Sequence, residues 1–200
     1  MESRSVVGGC EDDWQERYRR GDTPWEKGLA HPALEEWLKR NPIAGRVLVP
    51  GCGTGHDARA LAAAGADVVA IDVAPLAIAA AKTFPPSPKI SYIRGNFFDL
   101  PPLKEKFDWI FEHTFFCAIE RERRREYVQR VAALLKSGGR LLAIFFLDPD
   151  KEEDGPPYGC SIQELDSLFS PHFRLVSQSE NIPTYEGREG REILRLLLRD

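Results

Sequence analysis

The sequence contains no long apolar run and no strong excess of charge of one sign. Without about 20 consecutive apolar residues the chain has no transmembrane helix, and its polar start lacks the apolar core of a signal peptide. We therefore expect a cytoplasmic protein that does not act at a membrane. A formal net charge of -4 gives no overall attraction to nucleic acid.

Closely spaced cysteines are also absent. Cys10, Cys52, Cys117 and Cys160 are scattered along the chain and form no C-x-x-C motif. This spacing argues against a metal knuckle and gives no sign of a disulfide framework. Cys52 and His56 flank a glycine turn, but no further ligand cluster completes a metal site there. We expect the protein to hold no metal.

Internal repeats and low-complexity segments are absent as well. The composition, with 42% hydrophobic and 29% charged residues, is ordinary for a globular protein. We expect a single domain over residues 1–200, with residues 1–10 disordered and residues 11–40 forming a polar, Trp-rich region with two helices. The basic run at 121–125 alternates with glutamates, which is typical of a solvated helix face rather than of nucleic-acid binding. Nothing in the sequence demands a partner subunit, so we expect a monomer.

The most informative segment runs from residue 45 to residue 72. An apolar strand leads into Gly51, Gly53 and Gly55, an alanine-rich helix follows, and a second apolar strand ends on Asp72. Glycines at such a turn let the backbone approach a ligand closely, and an acid about 20 residues further on can accept hydrogen bonds from ribose hydroxyls. The segment predicts the first βαβ unit of a nucleotide-type binding site. A glycine turn without a ligand is the alternative.

The glycine spacing indicates which ligand this unit binds. Dinucleotide sites use G-x-G-x-x-G and direct a helix N-terminus at a pyrophosphate, whereas here the glycines follow G-x-G-x-G and His56 stands at the sixth position. Asp57 then opens the helix, and its carboxylate would repel a pyrophosphate. A ligand that carries an ammonium group and no phosphate fits better, and S-adenosylmethionine (SAM) is such a ligand. A NAD-dependent oxidoreductase is the less favoured interpretation.

Strand and helix patterns alternate through the rest of the chain. Strands are predicted at 47–50, 67–72, 90–94, 107–112, 140–146, 173–178 and 192–198, and helices at 12–20, 32–40, 56–64, 75–83, 121–136 and 161–169. The last two strands have no helix between them, so we expect them to pair as an antiparallel hairpin at the sheet edge. We predict an α/β, Rossmann-like fold with a seven-stranded, mostly parallel sheet, an antiparallel C-terminal hairpin and helices on both faces.

Residues with distinctive chemistry follow the predicted strands, and ligands of such sheets bind beyond the carboxyl ends of the strands. Asp72 would hold both ribose hydroxyls, or else cap the following turn. Asn96 and Phe97 would flank the adenine, or else form a turn and a core contact. Glu112 and His113 follow the fourth strand, where the methionyl end or the sulfonium of SAM should lie. A lone histidine is also often structural.

These segments together resemble the thiopurine S-methyltransferase family of class I SAM-dependent methyltransferases, and most of all its thiol and halide methyltransferase branch. The matching runs are TPW (23–25), VPGCGTGHD (49–57), AID (70–72), NFF (96–98), FDWIFEHTFFCAIE (107–120), LLKSGG (134–139) and DGPPY (154–158). The glycine loop marks only a class I methyltransferase, whereas TPW, TFFCAIE and GPPY together are specific to the family.

The resemblance implies a lid over the cofactor, formed by residues 11–31. Trp14 and Trp25 would lie against SAM with Tyr18 at the second aromatic position, and Gly51 would belong to the cofactor loop. The sequence departs from the family at four positions: Tyr18 replaces a usual tryptophan, Thr54 a common glycine, Asn96 a usual aspartate, and His113 a usual tyrosine or arginine.

The reaction implied by the resemblance is methyl transfer by in-line displacement, which needs alignment and a dry site. We expect a small soft acceptor (a thiol, hydrosulfide, thiocyanate or a halide) in an apolar pocket. Its expected lining is Phe115, Phe116, Cys117, Pro157 and Tyr158. An ionised acceptor needs no general base, but His113 and Tyr158 are candidates to orient or deprotonate a thiol. The alternatives are methylation of another small molecule (a thiopurine, metalloid or hydroxylated metabolite) and a SAM-binding regulator without catalysis.

Overall fold

The computed structural model describes residues 11–101, 104–147 and 155–200. Its strands are β1 (Arg46–Pro50), β2 (Asp67–Asp72), β3 (Ile90–Arg94), β4 (Phe107–His113), β5 (Leu135–Phe146), β6 (Phe173–Ser179) and β7 (Glu192–Arg199). They form one sheet in the order β3-β2-β1-β4-β5-β7-β6. Strand β7 runs antiparallel to both neighbours, and the other pairings are parallel. The expected disorder of residues 1–10 falls outside the described residues.

The helices begin where the local sequence favours a start. They are α1 (Glu11–Arg20), α2 (Pro32–Arg40), α3 (His56–Ala63), α4 (Pro75–Ala81), α5 (Arg124–Leu134) and α6 (Ile162–Phe169). Pro32 and Pro75 stand in first turns, where a missing N–H costs little. The Ser161 side chain accepts a hydrogen bond from the Glu164 N–H and caps α6. Among the residues described, no helix is long and apolar enough to cross a bilayer.

The predicted fold is confirmed, and its largest boundary error lies at the end of α5. The sequence pattern extends that helix to residue 136 and begins the next strand at Arg140, whereas α5 ends at Leu134 and β5 begins at Leu135. Leu135 pairs with Phe107 of β4, so the backbone enters the sheet before the glycines that follow. The antiparallel hairpin is present, with β7 beside β5 and β6 at the edge.

Both faces of the central strands are buried because helices cover each side, whereas β3 and β6 are largely exposed. In β1, Leu48 lies in the core under α5 and α6, whereas Val47 and Val49 lie in the core under α2 and α3. In β4, Trp109 and Phe111 also face α2 and α3. Successive strand side chains point to opposite faces, so a strand covered on both sides is apolar throughout. The same alternation decides where the residues at the end of β4 point.

Candidate functional site

A cavity of about 730 Å³ lies at the carboxyl ends of the parallel strands. Small-molecule sites have volumes of about 300–1,000 Å³, so a nucleoside-sized ligand fits. The glycine loop after β1, the ends of β2, β3 and β4, and residues 11–31, which form the predicted lid and are called the lid below, all contribute to its lining. All but one of the residues expected to contact the cofactor line this cavity: Trp14, Tyr18, Trp25, Gly51, Asp72, Asn96 and Phe97.

The glycine loop is shaped by its contacts as well as by its turn. Gly51, Gly53 and Gly55 have φ values of 56°, 52° and 79°, a region that residues with a Cβ disfavour. A Cβ on Gly51 would lie 2.5 Å from the Phe115 ring, and a Cβ on Gly53 would lie 2.5 Å from Glu26 Oε1. The loop can lie this close to its neighbours only because these positions are glycine.

Asp72 ends β2 at the wall of the cavity and is only 9% exposed. Its Oδ2 accepts a hydrogen bond from the Gly53 N–H at 2.8 Å, and its Oδ1 accepts one from the Ala74 N–H at 2.9 Å. Burial raises the pKa of this carboxyl to about 6, although the backbone donors oppose the rise. A carboxylate has about four acceptor positions. Asp72 therefore keeps capacity for donors from a ligand.

Asn96 and Phe97 combine a structural role with a place on the cavity wall. The Asn96 side chain accepts a hydrogen bond from the Phe98 N–H at 2.9 Å and caps the short turn at 97–99. The Phe97 ring packs edge-on against Phe98 and Phe115, with ring centroids 5.4 Å apart in each pair. The turn and the core contact predicted from the sequence are therefore present, and both residues also line the cavity, while their contact with adenine stays a prediction.

Aromatic side chains of the lid form the opposite wall. The Trp14 and Trp25 rings meet edge to face with centroids 5.3 Å apart, and Tyr18 lies 5.9 Å from Trp25. The Arg17 guanidinium lies 4.4 Å from the Trp25 ring centroid. At the far side of α1, Gln15 Oε1 accepts a hydrogen bond from the backbone N–H at the start of α4, at 3.0 Å. The lid is thus packed as a unit against the rest of the site.

Glu112 faces the interior rather than the cavity. It lies on the α5 side of β4 and is fully buried. Its Oε1 accepts hydrogen bonds from the Phe115 and Phe116 N–H groups at 2.9 and 2.8 Å, and its Oε2 accepts one from the Tyr127 hydroxyl. Burial raises its pKa to about 6. Glu112 therefore holds the loop in which Thr114, a β-branched residue at the cavity, adopts a strained φ of 62°.

His113 is the expected cofactor contact that does not line the cavity. It follows Trp109 and Phe111 in the alternation of β4, so its side chain points toward α3 and is 8% exposed. Its Nδ1 lies 2.7 Å from Asp57 Oδ2, and because a carboxylate only accepts, the imidazole donates. Its Nε2 is buried without a hydrogen-bond partner among the residues described. The sequence placed His113 at the correct strand end, and the strand's alternation turned it away from the cavity.

A buried hydrogen-bond network surrounds His113. His31 Nε2, Glu192 and His113 offer ligand atoms within 4.8 Å of one another, a spacing that would suit a metal ion. However, His31 Nδ1 accepts a hydrogen bond from the Ala33 N–H at 3.1 Å, so the neutral ring carries its proton on Nε2 and donates it to Glu192 at 3.0 Å. The His31 lone pair that a metal needs is already used, and the cluster is better described as a network.

This network joins the lid to the last strand. Burial opposes the charge of Glu192, but hydrogen bonds from His31, Thr184 and Arg188 outweigh it and lower its pKa to about 2. Burial lowers the pKa of His31, which favours its neutral form. The neutral imidazole and the ionised carboxylate are therefore the forms that this hydrogen bond joins at neutral pH.

Tyr158 and Phe116, both expected at the acceptor pocket, are not among the described lining residues. Phe116 is 2% exposed and lies in the core under α5 and α6. The backbone N–H of Tyr158 donates to the Cys117 carbonyl at 2.7 Å, and its own carbonyl accepts from the buried Arg124 at 2.8 Å. These bonds fix a loop whose residues Pro156 and Pro157 do line the cavity.

The far end of the cavity contains arginines that the sequence analysis missed. Arg188 and Arg191 lie in the connection between β6 and β7, with guanidinium groups 5.9 and 5.0 Å from the Phe146 ring centroid. Arg188 also donates to Glu192 at 2.8 Å. Cys117 lies on the same wall, and burial raises the pKa of its thiol to about 12. No local motif marks these arginines, because only the sheet order brings them to the site.

Comparison with solved structures agrees with this architecture. A structure described as "Conversion of a Disulfide Bond into a Thioacetal Group during Echinomycin Biosynthesis" has a TM-score of 0.74 at 24% identity, covering 96% of this chain and 93% of that chain. The 1,6-didemethyltoxoflavin-N1-methyltransferase of Burkholderia thailandensis, solved with S-adenosylhomocysteine (SAH), has a TM-score of 0.69 at 19% identity, covering 95% and 86%. The fold is that of the class I SAM-dependent methyltransferases.

Sequence comparison identifies the family within this class. The family model described as thiopurine S-methyltransferase (TPMT) matches residues 10–192. The chain therefore belongs to the thiopurine S-methyltransferase family and is a SAM-dependent methyltransferase. The predicted family, enzyme class and cofactor are confirmed.

Named relatives fall in two groups. The chain is 36% identical over 198 residues to the probable thiol methyltransferase 2 of Arabidopsis thaliana, covering 96% of this chain and 85% of that protein. It is 36% identical to the thiocyanate methyltransferase 1 of Brassica oleracea, covering 92% and 83%. It is 28% identical to the thiopurine S-methyltransferase of Vibrio campbellii (strain ATCC BAA-1116), covering 78% and 80%.

Proposed function

We propose that the protein transfers a methyl group from SAM to a small, soft nucleophile, namely a thiol, hydrosulfide, thiocyanate or a halide. The observation that carries this proposal is one cavity with a glycine-lined, acidic end and an apolar end that holds two arginines. The described lining contains no histidine, and the pKa of about 12 keeps its cysteine protonated at neutral pH. An acceptor that is already ionised needs no base, so this lining suits it.

At the acidic end, Asp72 would accept hydrogen bonds from both ribose hydroxyls, and Asn96 and Phe97 would flank the adenine. Bound SAM supplies a methyl group on a positively charged sulfonium. The residues present fit this ligand, because Asp72 uses only part of its acceptor capacity and points into the cavity. Gly51 and Gly53 line the same end without side chains, so their backbone can approach the methionyl part.

The lid would close over the cofactor. Trp14, Tyr18 and Trp25 present aromatic surface to the cavity, and aromatic faces attract a positive charge. The same surface excludes water, which strengthens electrostatic interactions in the site and prevents loss of the methyl group to solvent. The lid therefore contributes both to binding and to a dry reaction path.

At the other end, charge and apolar surface would act together on the acceptor. Phe146 and Pro156 provide an apolar wall, and Arg188 and Arg191 line it with guanidinium groups, that of Arg188 being shared with the carboxylate of Glu192. Positive charge at a cleft raises the local concentration of anions, and a weakly hydrated anion loses little on leaving water. A soft anion is therefore the acceptor that this wall favours. In-line displacement then requires only that acceptor and methyl group be aligned.

We assign no proton transfer to the two candidates from the sequence. His113 is enclosed between Asp57 and the His31 ring, and Tyr158 contributes its backbone to the loop behind Pro156. Both residues would act by holding the wall of the cavity in place.

The test is a headspace measurement of the purified protein with SAM and an equimolar mixture of hydrosulfide, thiocyanate and iodide. We expect methanethiol, methyl thiocyanate or methyl iodide to form, with SAH in equal amount. Heat-treated protein and the Asp72→Asn variant serve as controls and should give neither product. No methylated anion and no SAH from this mixture, with SAH forming once a larger thiol is added as the acceptor, would overturn the small-anion proposal while leaving the enzyme class intact.

The cavity volume favours a second candidate. At about 730 Å³ the cavity lies in the upper part of the small-molecule range, so an aromatic thiol of purine size also fits. The thiopurine S-methyltransferase of Vibrio campbellii carries such an acceptor in its name. Turnover of a purine thiol at a higher kcat/KM than any of the three anions would favour this candidate.

A monomer in the cytoplasm completes the proposal. Among the residues that the structure describes, the exposed large hydrophobic side chains belong to several separate segments, namely the lid, α4 and its following turn, β3 and β6: Leu29, Leu76, Phe84, Ile93, Leu175 and Val176. Size-exclusion chromatography with light scattering should give the mass of one chain, about 22.6 kDa. A mass of twice that value at micromolar concentration would refute the monomer.

A further inference from the structure

One lid side chain connects the lid to the glycine loop. Glu26 Oε1 accepts hydrogen bonds from the Tyr18 hydroxyl at 2.6 Å and from the Thr54 N–H at 3.0 Å. Its other carboxylate oxygen accepts from the Thr54 hydroxyl. A single carboxylate thus joins α1 of the lid to the loop after β1 through three donors.

The connection continues into the aromatic wall of the cavity. Trp25 Nε1 donates to the Tyr18 hydroxyl at 3.2 Å, and that hydroxyl donates in turn to Glu26. Burial, with a contribution from the Glu26 charge, raises the pKa of Tyr18, so Tyr18 remains a donor. Tyr18 and Trp25 line the cavity, whereas Glu26 is not part of its described lining. Glu26 therefore acts from behind the wall and occupies none of the ligand space.

The glycine loop is built around this carboxylate. A Cβ on Gly53 would lie 2.5 Å from Glu26 Oε1 and 3.1 Å from the Tyr18 hydroxyl oxygen. Gly53 is thus required by the lid contact as well as by its own turn. Thr54 supplies two of the three donors, its backbone N–H and its hydroxyl.

We propose that Glu26 is a positioning residue that latches the lid onto the glycine loop and thereby slows release of the cofactor and of its product. Hydrogen bonds to an ionised group are about twice as strong as neutral ones, so three of them bias the lid toward the closed arrangement. A ligand that binds the closed arrangement gains affinity in proportion to its population. The inference rests on the proposed cofactor placement at Asp72.

The test uses the tryptophans of the lid as reporters. SAH release is followed by stopped-flow fluorescence for wild type, Glu26→Ala and the matched control Glu16→Ala, which removes a partly exposed lid carboxylate paired with Arg19 and Arg20. We expect Glu26→Ala to release SAH about tenfold faster and to raise Kd about tenfold, the equivalent of one lost charged hydrogen bond. Glu16→Ala should behave as wild type.

Thr54, which donates two hydrogen bonds to Glu26, provides a second test of the proposal. Thr54→Ala removes the hydroxyl donor and keeps the backbone N–H, whereas Thr54→Ser keeps both. We expect Thr54→Ala to speed SAH release by about threefold and Thr54→Ser to restore it. The effects of Glu26→Ala and Thr54→Ala should be less than additive in the double variant, because they remove one shared contact. KM for SAM should rise more than kcat changes.

The results distinguish failure of the proposed role of Glu26 from failure of the proposed cofactor placement at Asp72. If Asp72→Asn weakens SAH binding and Glu26→Ala does not, the cofactor placement stands and the latch is wrong. If Glu26→Ala slows release or tightens binding, the contact opposes closure and the proposal is overturned. If Asp72→Asn leaves SAH binding intact, the cofactor placement itself fails. Thermal melting of each variant without ligand controls for loss of fold.

Discussion

Asp72 and Glu112 are two buried carboxylates at the ends of β2 and β4, the strands on either side of β1, and they serve opposite purposes. Each accepts hydrogen bonds from two backbone N–H groups, and burial raises the pKa of each to about 6. Asp72 can accept further hydrogen bonds on the side of the cavity, whereas Glu112 accepts a further hydrogen bond from the Tyr127 hydroxyl inside the core. The two carboxylates are alike in their place at a strand end and in their burial. The direction of the side chain therefore decides which of them can contact a ligand in the cavity.

The largest effect should come from Asp72→Asn. The amide keeps an acceptor for one backbone N–H but loses the charge that favours two ribose hydroxyls. We expect SAH affinity to fall more than about 100-fold, since two charge-assisted hydrogen bonds contribute about 3 kcal/mol or more. Isothermal titration calorimetry measures the affinity, and an affinity within threefold of wild type would place the ribose elsewhere.

Glu112→Ala should act on stability instead. It leaves the Phe115 and Phe116 N–H groups and the Tyr127 hydroxyl without a buried partner. We expect the free energy of unfolding to fall by about 3–5 kcal/mol, because several buried donors lose their acceptor together. Urea unfolding gives the value. Glu112→Gln retains an acceptor oxygen and should lose much less of the free energy of unfolding. Equal losses in the two variants would contradict the role of Glu112 as a buried hydrogen-bond acceptor.

His113→Ala tests whether a third strand-end residue acts like Glu112. The substitution leaves the carboxylate of Asp57 buried without its imidazole donor. We expect a loss of about 3 kcal/mol in the free energy of unfolding, with kcat changed less than about threefold at a temperature where the variant is folded. If the variant has wild-type stability and a large loss of kcat, His113 takes part in the reaction.

The pH dependence should separate the two carboxylates. Both folded-state pKa values are raised from 3.8 and 4.5 to about 6, so the stability they contribute is fully present only below those ordinary values and is lost as the pH rises through 6. For Glu112 the loss is about 2 kcal/mol. In Glu112→Gln, the free energy of unfolding measured with urea should therefore fall by about 2 kcal/mol less than in wild type between pH 4 and pH 7. SAH affinity should fall below pH 6 in wild type and in Glu112→Gln alike, because it follows Asp72. An unchanged stability slope in Glu112→Gln would be evidence against its raised pKa.

Tyr158→Phe should have the smallest effect. The backbone of Tyr158 makes the contacts to Cys117 and Arg124, and these survive the loss of the hydroxyl. We expect kcat and KM within about twofold of wild type. A tenfold fall in kcat for a thiol acceptor, with no change for iodide, would show that the hydroxyl orients or deprotonates the thiol.

The sequence was sufficient to predict the fold and most of the cavity lining at the ends of β1, β2 and β3, while the contact of these residues with SAM stays a prediction. Strand β2 and its terminal Asp72 follow from the apolar run and the glycine spacing, which are local signals. Strand β4 was also predicted, yet the opposite directions of Glu112 and His113 were not drawn from its alternation. Trp109 and Phe111 carry that signal, since His113 continues their side of the strand.

The remaining parts of the site could not be obtained from local patterns. Arg188 and Arg191 reach the cavity through the connection to β7, and Glu26 reaches Thr54 across 28 residues. Such contacts depend on how whole elements pack, and one sequence carries no record of which distant residues meet. The strained φ of Thr114 likewise depends on the buried acceptor beneath its loop.

The order of the strands has a consequence for how the chain reaches this structure. Strand β7 follows β6 in the chain but lies between β5 and β6 in the sheet. Until β7 arrives, β6 has no partner and β5 presents an open edge, which invites pairing with another chain. The same step brings Glu192 to His31, 161 residues away. Because contacts between distant segments form slowly, the junction of lid and sheet is completed late in folding, and the half-folded chain depends on shielding of that edge.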